Sequence, residues 1–576
     1  MVIYCFFYYV YYMVKQQKYI KLINVRNSII GLSCLSSFFL GGFITRRIDD
    51  EKITISVLRE AQKIIGLTFT DAEADSMLET LEGRRKNYAE LRKLNIPNSV
   101  VPSLNFNPLP VGYQFPDKVN GFKFSPAPKV KFSGNKDELA FSTITQLAEL
   151  IKSRQISSVE LTQYFIGRLK KYDPILLYTV TITEERAIAQ ARKADLEIAA
   201  GNYRGVLHGI PFGAKDLLAT KDYKTTWGSV PYKDQVIDAD ATVISTLEKA
   251  GAVLIAKMTL GELAQGDVWF GGKTKNPWDI KRGSSGSSAG SASAVAAGCL
   301  PFAIGSETYG SIVSPSGENG TTGLRPSFGR ISKYGAMALS WSMDKLGPIA
   351  RNVEDCAIVF NTIMGPDGKD LSVITAPFNY SSPTIGNLKG IRIGVIKSEF
   401  LRRNANSAND SLTLVKLADL GAELIPIELP VLPYAEMAII LSAEAGAAFD
   451  ELTLTNREDL MVLQGKSARP NALRASRFIP AVEYIQANRV RTLLIEQLNE
   501  KMKSIDVFIA PAFGPNLRVT NLSGHPCVVL PNGFRNGLPG TITFTGQLFG
   551  EGRLLQIARI YQKATGFNDL HPALNF

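Results

Sequence analysis

One stretch of small residues constrains this chain more than any other feature. It starts as the glycine and serine run at residues 283–291 and continues as the alanine-rich segment 292–297. A glycine and serine run on its own is typical of a flexible linker. Here it passes into the apolar segment 300–304, and small side chains allow backbones to approach one another closely. We therefore predict a tightly packed, buried helix and strand in place of a linker.

Beyond residue 138 the chain alternates helix-like and strand-like segments. Ser157 followed by Glu160 is the capping-box signature of a helix start. Short apolar runs predict strands, and a longer periodic segment predicts a helix. This alternation indicates an α/β sheet fold. The predicted strands are residues 252–256, 391–396, 422–427 and 506–510, and the predicted helix is 482–502.

The segment before residue 138 has a different character. Residues 53–94 show a helical pattern, with Thr70 and Glu73 as a second capping box, and we expect two helices there. Residues 95–131 contain seven prolines, too many for regular structure. We predict an extended connector on the surface and place a domain boundary within it.

The first fifty residues resemble a targeting segment. Residues 1–14 are apolar, 15–28 are basic and polar, and 29–43 form a second apolar run. The basic stretch followed by an apolar run predicts an export signal. No small-residue cleavage site follows Phe43, so an uncleaved anchor is the rival, and Met13 is an alternative start. Neither run reaches the roughly 20 residues that span a bilayer comfortably. We expect an exported or membrane-anchored protein rather than a cytoplasmic one.

Composition excludes several classes of function. The chain of 576 residues has 45% hydrophobic and 20% charged residues, as in an ordinary globular protein. Its net charge of +11 is spread thinly, without the basic and aromatic runs that follow a nucleic-acid backbone. The five cysteines are scattered without paired spacing, so neither a zinc site nor a disulfide framework is indicated.

Ordered motifs between Phe141 and Leu574 resemble those of the amidase signature family. The resemblance implies an α/β amidase signature fold, with a large twisted mixed β-sheet core covered by helices on both faces and an N-terminal helical extension. Together with the N-terminal segments described above, this divides the chain into a signal or anchor (residues 1–50), a helical extension with its connector (51–135) and a catalytic domain (136–576). The motifs are residues 207–216, 275–279, 283–298, 305–315, 323–330, 344–351, 538–540 and 561–566.

The resemblance implies a catalytic Ser-cisSer-Lys triad of Lys215, Ser287 and Ser311. The two serines are 311 − 287 = 24 residues apart, as the family pattern requires, and Ser288 completes the serine pair. Two departures are conservative in character. The family's Gly-Gly after the serine pair is Ala289-Gly290 here, and its Gly-Gly before the nucleophile is Tyr309-Gly310.

The chemistry of these residue types agrees with the resemblance. A serine hydroxyl needs a nearby base, and a lysine serves only if burial makes it neutral near pH 7. The apolar run before Lys215 favours such burial. Backbone N–H groups of Thr308, Tyr309 and Gly310, with that of Ser311, would form an oxyanion hole. The expected reaction is hydrolysis of a carboxylic amide through an acyl-enzyme on Ser311, with release of ammonia or an amine and without metal or cofactor.

Several residues have other interpretations. Lys215 could instead form an ion pair with Asp216, and Lys257 is the second candidate base. His208 and His525 are interpreted as structural residues. Asp344 is expected to orient loops near the site. Residues 441–450 and 479–484 are expected to form pocket walls.

Three other functions stay open at this stage. A glutamyl-tRNA amidotransferase A-type subunit carries an Arg two residues after the nucleophile, where this chain has Val313. The second is a catalytically silent binding protein with the same fold, and the third is a Ser-His hydrolase. We expect a small-molecule amide substrate and no nucleic acid. A homodimer and membrane association through the N-terminal segment are left open.

Overall fold

A computed structural model describes residues 52–94, 96–115, 120–126, 128–382 and 386–576. The predicted signal or anchor at residues 1–50 lies outside the described residues. The chain divides into two compact units, Met1–Asn95 and Ile96–Phe576. The assignment of residues 1–50, 51–135 and 136–576 to separate roles stays a prediction. Within the described ranges, no helix is long and apolar enough to cross a membrane.

The first unit contains the two expected helices, α1 (Ile55–Ile65) and α2 (Asp71–Arg92). Thr70 caps α2: its hydroxyl accepts from the Glu73 backbone N–H, and the Glu73 carboxylate accepts from the Thr70 backbone N–H. The capping box predicted from sequence is therefore confirmed.

Eleven strands in the described part of the second unit form one mixed sheet, in the order β8-β7-β9-β11-β10-β5-β6-β4-β2-β3-β1. Strands β8, β7 and β9 run parallel, as do β4, β2 and β3, while the strands between these two groups pair antiparallel. The predicted mixed sheet and the four predicted strands are confirmed. The strands are β1 (Thr179–Ile182), β2 (Pro211–Lys215), β3 (Val253–Met258), β4 (Phe302–Glu307), β5 (Thr322–Arg325), β6 (Lys345–Ala350), β7 (Arg392–Ile396), β8 (Glu423–Ile427), β9 (Val507–Pro511), β10 (Cys527–Arg535) and β11 (Leu538–Gly546).

Helices cover this sheet, and their apolar faces join its side chains in a large buried cluster. The long helix expected at 482–502 is confirmed as α15. The helices are α3 (Ile144–Lys152), α4 (Ser158–Leu176), α5 (Glu184–Ala199), α6 (Thr242–Lys249), α7 (Ala289–Ala296), α8 (Val313–Asn319), α9 (Val353–Ile363), α10 (Lys397–Leu401), α11 (Ser407–Asp419), α12 (Ile439–Ala448), α13 (Asp450–Thr455), α14 (Arg469–Ser476), α15 (Ala481–Met502), α16 (Asn516–Ser523) and α17 (Glu551–Thr565).

The small-residue segment forms the buried helix and strand expected from its composition. Every residue of α7 is buried, and so is every residue of β4. Gly290 shows why: a Cβ there would lie 2.2 Å from the Tyr178 carbonyl oxygen. Only glycine allows this close approach of backbone to backbone.

The sheet brings three sequence-distant segments to one edge. Lys215 ends β2, and β4 ends at Glu307 just before the loop to Ser311. Because β2 and β4 are parallel neighbours, their carboxyl ends meet at the same edge, where α/β folds place their sites. The serine pair lies directly before α7, which packs beside both strands.

Candidate active site

Lys215 lies at the centre of the candidate site and is fully buried. Its Nζ lies 2.7 Å from Ser287 Oγ, 3.0 Å from Ser288 Oγ and 2.9 Å from Ser306 Oγ. Burial lowers the pKa of Lys215 well below its usual value, against the opposing charges of Asp344 and Glu307. A neutral amine is therefore favoured, because its contacts are hydroxyls and a carbonyl rather than a carboxylate.

The hydrogen-bond network assigns the protons around this amine. Ser288 Oγ donates to the Ser306 carbonyl at 3.1 Å and accepts from the Ser306 N–H at 3.2 Å. Its one proton is thereby used, so it can only accept from Lys215. The second amine proton can go to Ser306, whose carbonyl and hydroxyl oxygens lie 3.4 and 2.9 Å from Nζ. The lone pair of Lys215 is then left for the hydroxyl proton of Ser287.

The serine block has the backbone geometry that the resemblance implied. The Gly286–Ser287 peptide bond is cis. A Cβ on Gly286 would lie 1.8 Å from the Gly266 carbonyl oxygen, so only glycine fits there. Ser288 N–H donates to the Ser311 carbonyl at 3.1 Å, which fixes the serine pair against the backbone of the proposed nucleophile.

Glu307 holds the loop that carries Ser311. Its buried carboxylate accepts from the backbone N–H groups of Ile312 and Val313, each at 2.9 Å. The same carboxylate pairs with the buried Arg325 at 2.8 Å and accepts from Asn521 at 2.7 Å. Although burial acts to raise the pKa of Glu307, the Arg325 charge and these hydrogen bonds lower it below its usual value. A charged carboxylate thus fixes the backbone directly after Ser311.

The backbone donors at and just before the nucleophile stay free in the described part of the chain. The chain turns at Gly310, which has a φ of 104°. In the part of the chain that the structure describes, no acceptor is within hydrogen-bond distance of the N–H groups of Tyr309, Gly310 or Ser311. These are three of the four N–H groups expected to form the oxyanion hole. The backbone N–H of the fourth member, Thr308, likewise has no acceptor among the described residues, while its hydroxyl donates to Asp344.

Asp344 orients loops, as expected from sequence. Besides the Thr308 hydroxyl, its carboxylate accepts from the backbone N–H groups of Leu339 and Ser340, at 2.8 and 3.0 Å. Burial raises the pKa of Asp344 despite these hydrogen bonds. The residue joins the loop after β4 to the loop before β6.

The alternative ion pair between Lys215 and Asp216 is wrong. Asp216 instead pairs with Lys257 at 2.8 Å, and both side chains are fully buried. Lys257 also donates to Thr225 Oγ1 at 2.9 Å. The physical reason is the alternation of side chains along β2, which directs Lys215 and the next residue to different surroundings. Lys257 is thus a structural cation rather than the candidate base.

The histidines have partners other than Ser311. His208 Nδ1 accepts from the Arg204 backbone N–H at 3.0 Å, and its Nε2 lies 3.1 Å from Glu197. His525 Nδ1 lies 2.9 Å from Ser523 Oγ, and burial lowers the His525 pKa to about 3. Both have the structural surroundings predicted from sequence.

Two cavities flank the loop that carries the nucleophile. The first, about 500 Å³, is lined by Ser306, Thr308 and Asp344 on the lysine side and by apolar residues of segment 335–341. Part of the connector, residues 98–106, forms its outer wall. The second, about 650 Å³, is lined by Tyr309 and by residues of segments 432–436 and 513–518.

The predicted pocket walls at residues 441–450 and 479–484 do not line either cavity. They lie behind the wall and support it. Glu444 accepts from the hydroxyls of Ser340 and Ser342, at 2.6 and 2.7 Å, and from the Tyr484 hydroxyl at 2.9 Å. These helix residues therefore hold the loop before β6 from the outside.

Sequence reasoning missed Glu307 and Arg325 as parts of the site. Both lie in segments already identified as motifs, and both are charged residues in otherwise apolar strands. Because a charge is seldom fully buried without a partner, two such residues in one sheet signalled a buried pair.

Comparison with known proteins identifies the family. A family model described as Amidase matches residues 160–520. The A-type subunit of glutamyl-tRNA(Gln) amidotransferase from Coxiella burnetii is 34% identical over 479 residues, which cover 75% of this chain and 99% of that protein.

Two solved structures have a similar fold. The peptide amidase from Stenotrophomonas maltophilia superposes with a TM-score of 0.68 and 29% identity, covering 76% of this chain and 99% of its own. An amidase family protein from Bacillus anthracis has a TM-score of 0.70 and 28% identity, covering 76% of this chain and 94% of its own.

Proposed function

Because this chain belongs to the amidase family, we propose that it hydrolyses the C–N bond of a carboxylic amide with Lys215, Ser287 and Ser311 as its catalytic triad. Ser311 is the nucleophile, Ser287 the proton relay and Lys215 the base. The observation that carries the proposal is the fully buried Lys215 amine, which lies 2.7 Å from Ser287 Oγ and has no carboxylate partner among the residues that the structure describes. A structural lysine would be expected to have such a partner.

Acylation begins with the proton on Ser287. The lone pair of Lys215 accepts the Ser287 proton, and Ser287 Oγ in turn accepts the Ser311 proton as Ser311 Oγ attacks the amide carbonyl. The oxygen of the tetrahedral intermediate binds to the free N–H groups of Tyr309, Gly310 and Ser311. Each such donor contributes about 2.7–4 kcal/mol to lowering the barrier.

Collapse of the intermediate breaks the C–N bond. Ser287 donates its proton to the leaving nitrogen and regains one from Lys215, which returns to the neutral amine. Ammonia or an amine departs, and the acyl group stays on Ser311. In deacylation, water loses its proton through Ser287 to Lys215, and the acid is released with the serine restored.

The test is release of ammonia from a panel of aliphatic, aromatic and amino-acid amides by the wild type and by Ser311→Ala. We expect the wild type to turn over at least one amide without ATP and the variant to lose nearly all activity. A burst of ammonia equal to the enzyme concentration would show the acyl-enzyme. Retained activity in Ser311→Ala, or no turnover of any amide, would contradict the proposal.

A second candidate is an amidotransferase A-type subunit, favoured by the 34% identity to the Coxiella burnetii protein. Such a subunit would release ammonia from glutamine and would depend on partner chains. Val313 stands where the family pattern of that subunit has an arginine, which removes the expected partner for a glutamine carboxylate. Turnover of glutamine alone, with no activity on other amides, would favour this candidate over the stand-alone amidase.

The location in the cell is a separate proposal. The basic and apolar residues 1–43 support export or membrane anchoring. Fractionation of the native host, with intact-mass analysis of the purified protein, would distinguish a cleaved signal, a retained anchor and a start at Met13.

A further inference from the structure

A second cavity lies beside Tyr309. The family pattern has glycine at this position, and a tyrosine here adds an aromatic wall two residues before the nucleophile. Tyr309 is half-buried, and its hydroxyl oxygen is buried without a partner in the described residues. The cavity is therefore lined by the ring of Tyr309 rather than by its hydroxyl.

The rest of the lining is mostly aromatic or apolar. Leu432, Tyr434, Phe513 and Leu517 line the same cavity. Leu517 also contacts the nucleophile loop, because a Cβ on Gly310 would lie 3.0 Å from its side chain. The cavity thus adjoins the loop directly, and its volume of about 650 Å³ is within the range of small-molecule sites.

Two arginines contribute positive charge to the lining of this cavity. Arg518, on the first turn of α16, is exposed, and its guanidinium lies 6.0 Å from the centre of the Tyr309 ring. Within the described ranges, its side chain forms no ion pair or hydrogen bond. Arg402 also lines the cavity, and its nearest carboxylate, Glu399, is 3.8 Å away. The described lining contains these two arginines and one acidic residue, Glu436.

The two cavities have different roles in the proposed reaction. The leaving nitrogen must receive its proton from Ser287, and that hydroxyl is bound to Lys215. Ser306, which contacts Lys215, lines the first cavity, whereas Tyr309 lines the second. We therefore infer that the leaving group departs on the lysine side and that the acyl group extends toward Tyr309.

We propose that the second cavity binds the acyl group of the substrate, and that this group carries an aromatic ring followed by a carboxylate that pairs with Arg518. The ring packs between Tyr309 and Phe513, and the carboxylate lies against the exposed Arg518. This inference rests on the proposed amidase function and names its substrate class.

The test compares three primary amides: hexanamide, 3-phenylpropanamide and 3-(4-carboxyphenyl)propanamide. We expect the wild type to favour the carboxylate-bearing probe. Arg518→Gln should raise its KM about five- to tenfold, because a charge-assisted hydrogen bond is lost, and leave hexanamide unchanged. Phe513→Ala should remove the preference for 3-phenylpropanamide over hexanamide. Arg192→Gln, an exposed arginine outside this cavity, is the matched control and should change none of the three.

The outcomes separate this inference from the proposed function. If the wild type hydrolyses hexanamide but shows no preference among the probes, the inference fails and the amidase stands. If Arg518→Gln changes KM equally for all three probes, the arginine does not bind the carboxylate of the substrate, and the inference fails. Absence of turnover on every probe, and on the wider panel, would contradict the proposed function itself.

Discussion

Lys215 and Lys257 lie side by side at the same edge of the sheet, on the parallel strands β2 and β3. In the strand register, Ala214 is paired with Lys257 and Lys215 with Met258. Both side chains are fully buried. Lys257 has the Asp216 carboxylate 2.8 Å away, whereas Lys215 has three serine hydroxyls. Burial alone therefore does not make a lysine a base.

The difference lies in which form of the amine the surroundings stabilise. Burial lowers the pKa of both lysines, and for Lys257 the adjacent Asp216 charge opposes that effect directly. A carboxylate in contact favours the ammonium form, while hydroxyls bind either form. Lys215 is thus free to accept a proton, and Lys257 holds its proton as part of a buried pair.

The largest expected effect follows from replacing Lys215, the buried lysine that contacts serine hydroxyls. Lys215→Met should lower amide turnover by about 10⁴-fold, as for loss of a catalytic base. The fold should be retained, because methionine fills similar volume and no buried charge loses its partner. Turnover and thermal unfolding of the variant test this. Equal loss of activity in Lys257→Met would contradict the conclusion that only Lys215 of the two lysines acts as the base.

Placing a carboxylate in contact with Lys215 should favour its ammonium form, as Asp216 does for Lys257. In Ser306→Asp the new carboxylate replaces a hydroxyl that lies 2.9 Å from Lys215 Nζ. Its negative charge should raise the Lys215 pKa by favouring the ammonium form. Because the base must be neutral, the acid limb of the activity profile should move to higher pH. Turnover at neutral pH should fall about a hundredfold and recover partly as pH rises.

The control for this prediction is Ser306→Asn, which has nearly the same shape without the charge. It should leave the position of the acid limb unchanged, even if turnover falls. A limb that stays in place in both variants would mean that Lys215 does not set the pH dependence.

Sequence predicted the fold well because its signals were local. The apolar runs at residues 253–256 and 507–510 became central strands, and the capping box at Ser157 begins α4 as expected. The resemblance supplied Lys215, Ser287 and Ser311 by position. These features need no knowledge of which segments meet in space.

Sequence did not predict which charged residues pair. Asp216 follows Lys215 directly, yet its partner Lys257 comes from the next strand. Glu307 and Arg325 meet only because β4 and β5 lie in the same sheet, separated by β6. Pairing of this kind depends on strand order and register, which the periodicity of one segment does not contain. The pocket walls were misplaced for the same reason.

Removing the paired lysine should affect stability more than catalysis. In Lys257→Met the buried Asp216 carboxylate loses its ion partner, which should lower the free energy of unfolding by about 3–5 kcal/mol. Turnover per folded molecule should stay within about threefold, since Lys257 contacts none of the catalytic serines. Urea unfolding and active-site titration measure the two quantities separately.

A double variant sharpens this result. Lys257→Met with Asp216→Asn removes the uncompensated charge and should recover more than half of the lost stability. No recovery would indicate that Lys257 stabilises the fold by packing of its stem rather than by its charge.

The smallest effect is expected from the histidines, and it tests whether a lysine is the base at all. His525→Gln keeps a polar group near Ser523, and His208→Gln keeps one near Glu197, so both should fold. Each should retain turnover within about threefold, because neither imidazole contacts Ser311. The acid limb should also keep its position, since the His525 pKa of about 3 leaves that ring neutral throughout the active range. Loss of the limb in either variant would assign the base to a histidine and reduce Lys215 to a second buried structural lysine, like Lys257.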